Sequence, residues 1–169
     1  MNRIIIHYGD GRGKTSSAIG TIMRTLAHGR KVLAVQFFKP EKDSALKCLL
    51  QFFPEQLTVR NYGKWYFADR PDDTATETYL NALQEIKELI VNENFETILL
   101  DEIFYTVNFN LLAEDDIVQL LQMFDNKCFI LTGRNASAKL LRLADTVSCI
   151  KSEKHAFDLG IKAESGVEF

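Results

Sequence analysis

The stretch "RIIIHYGDGRGKTSSAIG" (Arg3–Gly20) sets a short run of branched apolar residues before a glycine-rich loop, and the loop before a segment of helical period. That order narrows the choice of fold more than any other feature of the chain. A strand that ends in such a loop and opens a helix aims backbone N–H groups and the positive helix end at one point, where an anion binds. Gly9, Gly11 and Gly13 let the backbone curl without Cβ clashes. Lys14 can reach phosphate oxygens as a point charge, and the Thr15 hydroxyl can help hold Mg²⁺. The expected nucleotide-binding set is Gly9, Asp10, Gly11, Arg12, Gly13, Lys14, Thr15 and Ser16, with Lys14 and Thr15 nearest the chemistry. The spacing is irregular. In the usual G-x-x-x-x-G-K-[ST] pattern the first glycine would fall at Tyr8, and Gly9 stands one residue too close. A bare GKT would read as a turn with an incidental lysine; the strand and helix around it argue otherwise.

Beyond the loop, short apolar runs alternate with segments of helical period. Strands are expected at Arg3–Tyr8, Lys31–Phe38, Leu57–Tyr62, Glu96–Glu102, Lys127–Arg134 and Thr146–Ile150. Helices are expected at Thr15–His28, Ser44–Phe52, Thr74 to about Asn92, Glu114–Phe124 and Ala136–Leu143. The first should bury Ile19, Ile22, Met23 and Leu26 and end at Gly29, where a positive φ costs glycine little. The third should bury Leu80, Leu83, Ile86 and Ile90, and Thr74-Ala75-Thr76-Glu77 fits a capping box at its start. Near-continuous apolar strands such as "KVLAVQFF" belong to a parallel sheet covered on both faces. The alternation therefore argues for an α/β fold, one parallel sheet of about six strands between helical layers. Neither repeat nor linker divides residues 1–169, and a single domain is expected.

At 46% hydrophobic and 25% charged residues, the chain can bury a core without staples. Its net charge of −3 gives no basic field to argue for nucleic acid or an anionic membrane surface. Cys48, Cys128 and Cys149 are neither a disulfide framework nor a metal pattern, and are expected to be small buried thiols. No run approaches the roughly 20 apolar residues of a membrane span, and the opening Ile4-Ile5-Ile6 is too short for a secretion signal. A cytoplasmic location is expected.

A second element bears on the loop. "TILLDE" is an apolar strand ending in Asp101-Glu102, the form of a motif whose aspartate orients Mg²⁺. Solvated acids at a strand end are common, so the pair gains weight only with the loop. Adjacent parallel strands would bring both motifs to the carboxyl edge of the sheet, where such folds bind ligands. Thr15, Asp101 and Glu102 are the expected metal set.

Five segments then occur in order: "GDGRGKTSSAIGTIMRTLAHGRKVLAVQFFK" (Gly9–Lys39), "TILLDEI" (Thr97–Ile103), "ILTGRNA" (Ile130–Ala136), "LADTVS" (Leu143–Ser148) and "KHAFDLGIKAESGVEF" (Lys154–Phe169). Together they resemble the ATP:corrinoid adenosyltransferases of the P-loop type, in which the short glycine loop is the norm. The resemblance is densest at the two ends of the chain and weakest between Pro40 and Asn94. It implies a RecA-like P-loop NTPase fold and a reaction in which a cobalt(I) corrinoid attacks the 5′ carbon of ATP and displaces the whole triphosphate. The loop would then stabilise the leaving group, and Glu102 would position rather than activate water. The resemblance also implies Mg²⁺ or Mn²⁺, a homodimer, and an electron donor such as a flavodoxin-like protein. Lys39 matches a lysine of the family and is placed at the edge of the site. Arg134 in "TGRN" is placed at the same sheet edge, against triphosphate or a corrinoid side chain.

In the family, aromatic residues crowd the lower face of the cobalt. "YGKWYFADR" (Tyr62–Arg70) is the matching stretch, with Trp65 and Phe67 in those places, in the reverse of the usual phenylalanine-then-tryptophan order. By composition alone it reads equally as an aromatic cluster packed under a long loop. If relatives cover the corrinoid with a segment ahead of the first strand, this chain, which begins almost on that strand, should leave the face more open or cover it with Pro40–Arg70. His7, His28 and His155 show no ligand spacing. Two other functions fit part of the pattern. A nucleoside kinase of the thymidine kinase type shares the opening and the acid pair, but often carries a cysteine pair absent here. A RecA-like ATPase module would need a basic strip or an added binding element.

Overall fold

The computed structural model describes residues 1–64, 73–164 and 166–167. Six strands, β1 (Arg3–Tyr8), β2 (Val32–Phe37), β3 (Leu57–Tyr62), β4 (Thr97–Asp101), β5 (Cys128–Gly133) and β6 (Thr146–Cys149), form one sheet in the order β3-β2-β4-β5-β1-β6. Every pairing in it is parallel. The helices are α1 (Lys14–Ala27), α2 (Ser44–Phe52), α3 (Asp73–Asn92), α4 (Phe104–Asn108), α5 (Glu114–Met123) and α6 (Ala138–Leu143), with a 3₁₀ turn at Ala156–Leu159.

Strand residues alternate between two cores, as side chains on a pleated sheet must. Leu33, Val35 and Phe37 of β2, with Ile98 and Leu100 of β4, meet α3, α5 and α6. Val32, Ala34 and Leu99 point the other way, toward Ala18, Ile22 and Leu26 of α1 and Leu46 of α2. All six residues of β2 and all five of β4 are buried. This double burial explains why those strands read as unbroken apolar runs. The edge strand β6, by contrast, is largely exposed.

Several expectations need correction. The buried stripe of α1 is Ala18, Ile22 and Leu26; Ile19 is half-buried and Met23 is 55% exposed. In α3, Tyr79 and Ala82 join Leu83, Ile86 and Ile90 inside, and Leu80 is 47% exposed. Both errors have one cause: successive apolar residues span about 100° on a helix, and only one edge of a wide stripe meets the sheet. Thr74 lies inside the first turn of α3 rather than at its cap. Cys48 and Cys149 are exposed and Cys128 is half-buried, so the thiols are not core residues. Helix α4, five residues directly after the acid pair, was not anticipated. Gly29 does take φ 71° just past α1.

Strands β1 and β4 are not neighbours. β5 lies between them, paired to each. The loop after β1 and the acids after β4 still reach one edge of the sheet, and the separation puts a residue of β5 between them.

Candidate active site at the glycine loop

The loop from Gly9 to Gly13 is stitched into the sheet edge. Gly9 N donates to Arg134 O at 3.0 Å and Gly11 N to Ile150 O at 2.8 Å, while Ile150 N donates to Tyr8 O at 2.7 Å. Glycine is required for this. A Cβ at Gly9, where φ is 114°, would lie 2.4 Å from Ile150 O, and one at Gly11 would lie 2.6 Å from Lys151 O. Gly13 precedes α1 at φ 115° and offers no side-chain cap, and no acid stands in the first turn. The leading N–H groups of α1 are thus left for an anion. Lys14 is buried, its Nζ donating to Gly11 O at 2.9 Å. Burial lowers its pKa, against the pull of Glu102.

At the centre of the site is Asp101, fully buried. Its Oδ1 accepts from Thr15 Oγ1 at 2.8 Å and Thr132 Oγ1 at 2.6 Å. Its Oδ2 accepts from Lys39 Nζ at 2.8 Å and Gln36 Nε2 at 3.2 Å. Burial alone would raise the Asp101 pKa; the charge and hydrogen bond of Lys39, with the two threonine bonds, bring it below the usual carboxylate range. Burial likewise works against the Lys39 ammonium, but Asp101 more than reverses it, so Lys39 titrates above an ordinary lysine.

Glu102 differs from its neighbour. It sits at φ 62°, its N–H donating to Thr132 Oγ1 at 2.9 Å. Burial and the Asp101 charge raise its pKa, and its buried Oε2 has no hydrogen-bond partner. A buried, unsatisfied carboxylate oxygen on a residue that lines a polar cavity is costly by itself and fits a hard cation. Thr15, Asp101 and Glu102 together are an all-oxygen set of the kind Mg²⁺ takes beside phosphates, where one or two carboxylates suffice. Among the described residues no group of three or more His, Cys, Asp or Glu forms a metal cage. The residues therefore fit a cation shared with a phosphate ligand.

A cavity of about 470 Å³ opens over these groups, lined among others by Arg12, Lys14, Thr15, Ser16, Lys39 and Glu102. The tail closes one side, with Gly166 and Val167 in the lining and Arg12 Nη2 donating to Val167 O. Asp10 and Arg134 face a neighbouring cavity instead, which Tyr8 and Gly9 also line. Burial and the Glu102 charge raise the Tyr105 pKa, against the pull of the Arg134 guanidinium. Trp65 and Phe67 lie outside the described residues. His7 is half-buried, both ring nitrogens lack partners, and burial lowers its pKa.

Two residues of the Asp101 cluster escaped the sequence reading: Gln36 and Thr132. Both are buried polar residues near the carboxyl ends of otherwise apolar strands, β2 buried throughout and β5 buried from Phe129 to Gly133. That mismatch was the available signal.

Sheet order, loop and acid pair define a P-loop nucleotide-binding protein of RecA-like architecture. A KaiC-like protein, PH0186 of Pyrococcus horikoshii, shares the fold at a TM-score of 0.59 over 90% of this chain and 74% of that one, with 16% sequence identity. Within that class the chain belongs to the ATP:corrinoid adenosyltransferase family, BtuR/CobO/CobP, whose model matches residues 1–169. The corrinoid adenosyltransferase of Escherichia coli K12 is 36% identical over 98% of this chain and 85% of its own length. That of Salmonella typhimurium, CobA, is 33% identical over the same shares, and that of Pseudomonas aeruginosa is 33% identical over 98% and 83%. The activity is transfer of the adenosyl group of ATP to a corrinoid; neither the nucleoside kinase nor the RecA-like ATPase module is favoured.

Proposed function

We propose that the loop cavity holds the triphosphate of ATP as a leaving group, and that residues 1–169 act as one adenosyltransferase domain. The observation that carries this is the convergence of the uncapped start of α1, the buried Lys14 and Glu102 on one cavity, with the buried Asp101 bonded to Thr15 of its lining. The cobalt(I) of a reduced corrinoid donates an electron pair to the 5′ carbon of ATP. A cobalt–carbon bond forms, the carbon–oxygen bond breaks, and its electrons leave on the triphosphate.

The protein's task is to stabilise charge that grows on the departing oxygen. The N–H groups of Gly13 to Ser16 and the Lys14 ammonium are donors for it, set in place before the moment of reaction. Asp10 and Arg12 flank the same loop, and Arg134 in the adjoining cavity is placed for the nucleotide or a corrinoid side chain. Thr15, Asp101 and Glu102 would hold Mg²⁺ or Mn²⁺, which supplies further neutralisation of the triphosphate when bound. No water is activated, so Glu102 needs no role as a base. Trp65 and Phe67 are assigned to the corrinoid. An electron donor such as a flavodoxin-like protein, a homodimer and a cytoplasmic location complete the reading.

The test is anaerobic. ATP, Mg²⁺ and chemically reduced corrinoid are supplied, and the cobalt spectrum is followed. Adenosylated corrinoid with intact triphosphate is expected. Cleavage of ATP to ADP without corrinoid, or phosphorylation of a nucleoside, would overturn it.

A further inference from the structure

Lys39 stands outside the glycine loop, yet its side chain lines the same cavity as Arg12, Lys14 and Thr15. Its backbone is fixed. Phe38 takes φ 59° and donates its N–H to Tyr62 O at 2.9 Å, and Asn61 Nδ2 donates to Lys39 O at 3.2 Å. The side chain is an arm on that anchor, 28% exposed, resting its Nζ on Asp101 Oδ2 and 3.9 Å from Asp43 Oδ2. Among the four groups that bond to Asp101, it alone is long and flexible. Thr15 and Thr132 are short side chains on α1 and β5, and Gln36 on β2 is held by a second bond, its Oε1 accepting from Asp43 N at 2.9 Å. A lysine also differs from arginine in being a compact charge that changes partners without needing a matched fork.

A triphosphate that departs whole carries several negative charges, and the loop itself offers only the side chains of Arg12 and Lys14 as cations. We propose that Lys39 is a second phosphate-binding ammonium of the site, resting on Asp101 in the free protein and transferring to a phosphate oxygen when the polyphosphate enters. This rests on the reading of the cavity as a triphosphate site. The exchange replaces one anionic acceptor with another, so the ammonium stays compensated throughout. Asp101 keeps its bonds to Thr15, Thr132 and Gln36, and the face of Oδ2 that Lys39 leaves becomes open to a cation. The movement needs rotations of one side chain and none of the backbone.

Calorimetric titration of the full chain with inorganic triphosphate, without corrinoid and with or without MgCl₂, tests this. Lys39→Gln keeps an amide that donates to Asp101 but has no charge. It is expected to bind triphosphate at least about tenfold more weakly than the wild type at either Mg²⁺ level, and Lys39→Arg to recover most of the loss. Equal affinity in Lys39→Gln and wild type overturns the proposal. So does a loss that saturating Mg²⁺ abolishes, which would make Lys39 a support for Asp101 only. Should Lys39→Gln not fold, ¹⁵N NMR of the wild-type lysine ammonium groups decides: the Lys39 signal must shift on adding triphosphate, and an unmoved signal sinks the idea. A Lys14→Ala variant that binds triphosphate undiminished removes the underlying reading of the loop. Loss in Lys14→Ala beside an unaffected Lys39→Gln removes only the role of Lys39.

Discussion

Thr15 Oγ1 donates to Asp101 Oδ1 at 2.8 Å across 86 positions of sequence, joining the first turn of α1 to the end of β4. The oxygen that accepts this bond also accepts from Thr132 of β5, the strand between the two motifs. The site is thus a bonded cluster drawn from three strands and a helix, and each member has a separable consequence.

Thr132→Val should be costly although it keeps the shape of the side chain. It removes a hydrogen bond to a fully buried carboxylate and leaves the Glu102 N–H without its acceptor. A loss of about 2 kcal/mol is expected, read by urea denaturation of the nucleotide-free protein. A change under a few tenths would mean the cluster adds little to folding.

Gly9→Ala and Gly13→Ala should separate space from backbone strain. Both glycines have φ near 115°, but only at Gly9 does a Cβ collide with backbone, at Ile150 O. Gly13→Ala should cost roughly 1–3 kcal/mol from conformation alone. Gly9→Ala should cost more and should also displace the β6 end from the loop. Thermal unfolding of the two variants side by side gives the order.

Lys14→Ala should lower kcat by about 100-fold or more, the scale seen when one donor to developing charge is removed. The anaerobic cobalt assay measures it. Similar kcat with only a raised KM would mean that Lys14 binds ground state and transition state alike.

Glu102→Gln should stabilise the nucleotide-free protein at neutral pH while impairing catalysis. The Glu102 pKa is raised in the fold by burial and by Asp101. Stability from such a group is fully present below its unfolded pKa, about 4.3, and is lost as pH rises through the higher folded value. The amide variant does not carry that loss. Its advantage over the wild type should appear above the folded pKa and vanish in acid, where Glu102 is protonated in both states. Denaturation curves across pH 4 to 8 decide this, and an advantage that grows in acid would contradict the assigned direction.

The strands and most helices could be read from local pattern because burial on a covered parallel sheet leaves a local mark, as in "VLAVQF" and "TILLD". Helix α4 left none, since Phe104–Asn108 is a single short turn whose apolar residues continue the run of β4. Met23 and Leu80 were misplaced because helical period identifies a stripe without saying how much of it the sheet covers. The loop and the acid pair were visible as residue types. Their joint geometry was not, because adjacency in a sheet is a property of strand order.

What the chain's sequence determined by itself was therefore local: a glycine loop that only glycines can trace, an alternation of strand and helix, and two acids at a strand end. These follow from sterics and periodicity within a few residues. Tertiary structure decided the rest. The insertion of β5 between β1 and β4 brought Thr132 to Asp101, and the turn at Phe38 returned Lys39 to the same carboxylate. Asp101 and Glu102 are neighbours with opposite pKa directions. No local rule separates them, because the charge of a buried group answers to whatever the fold places beside it.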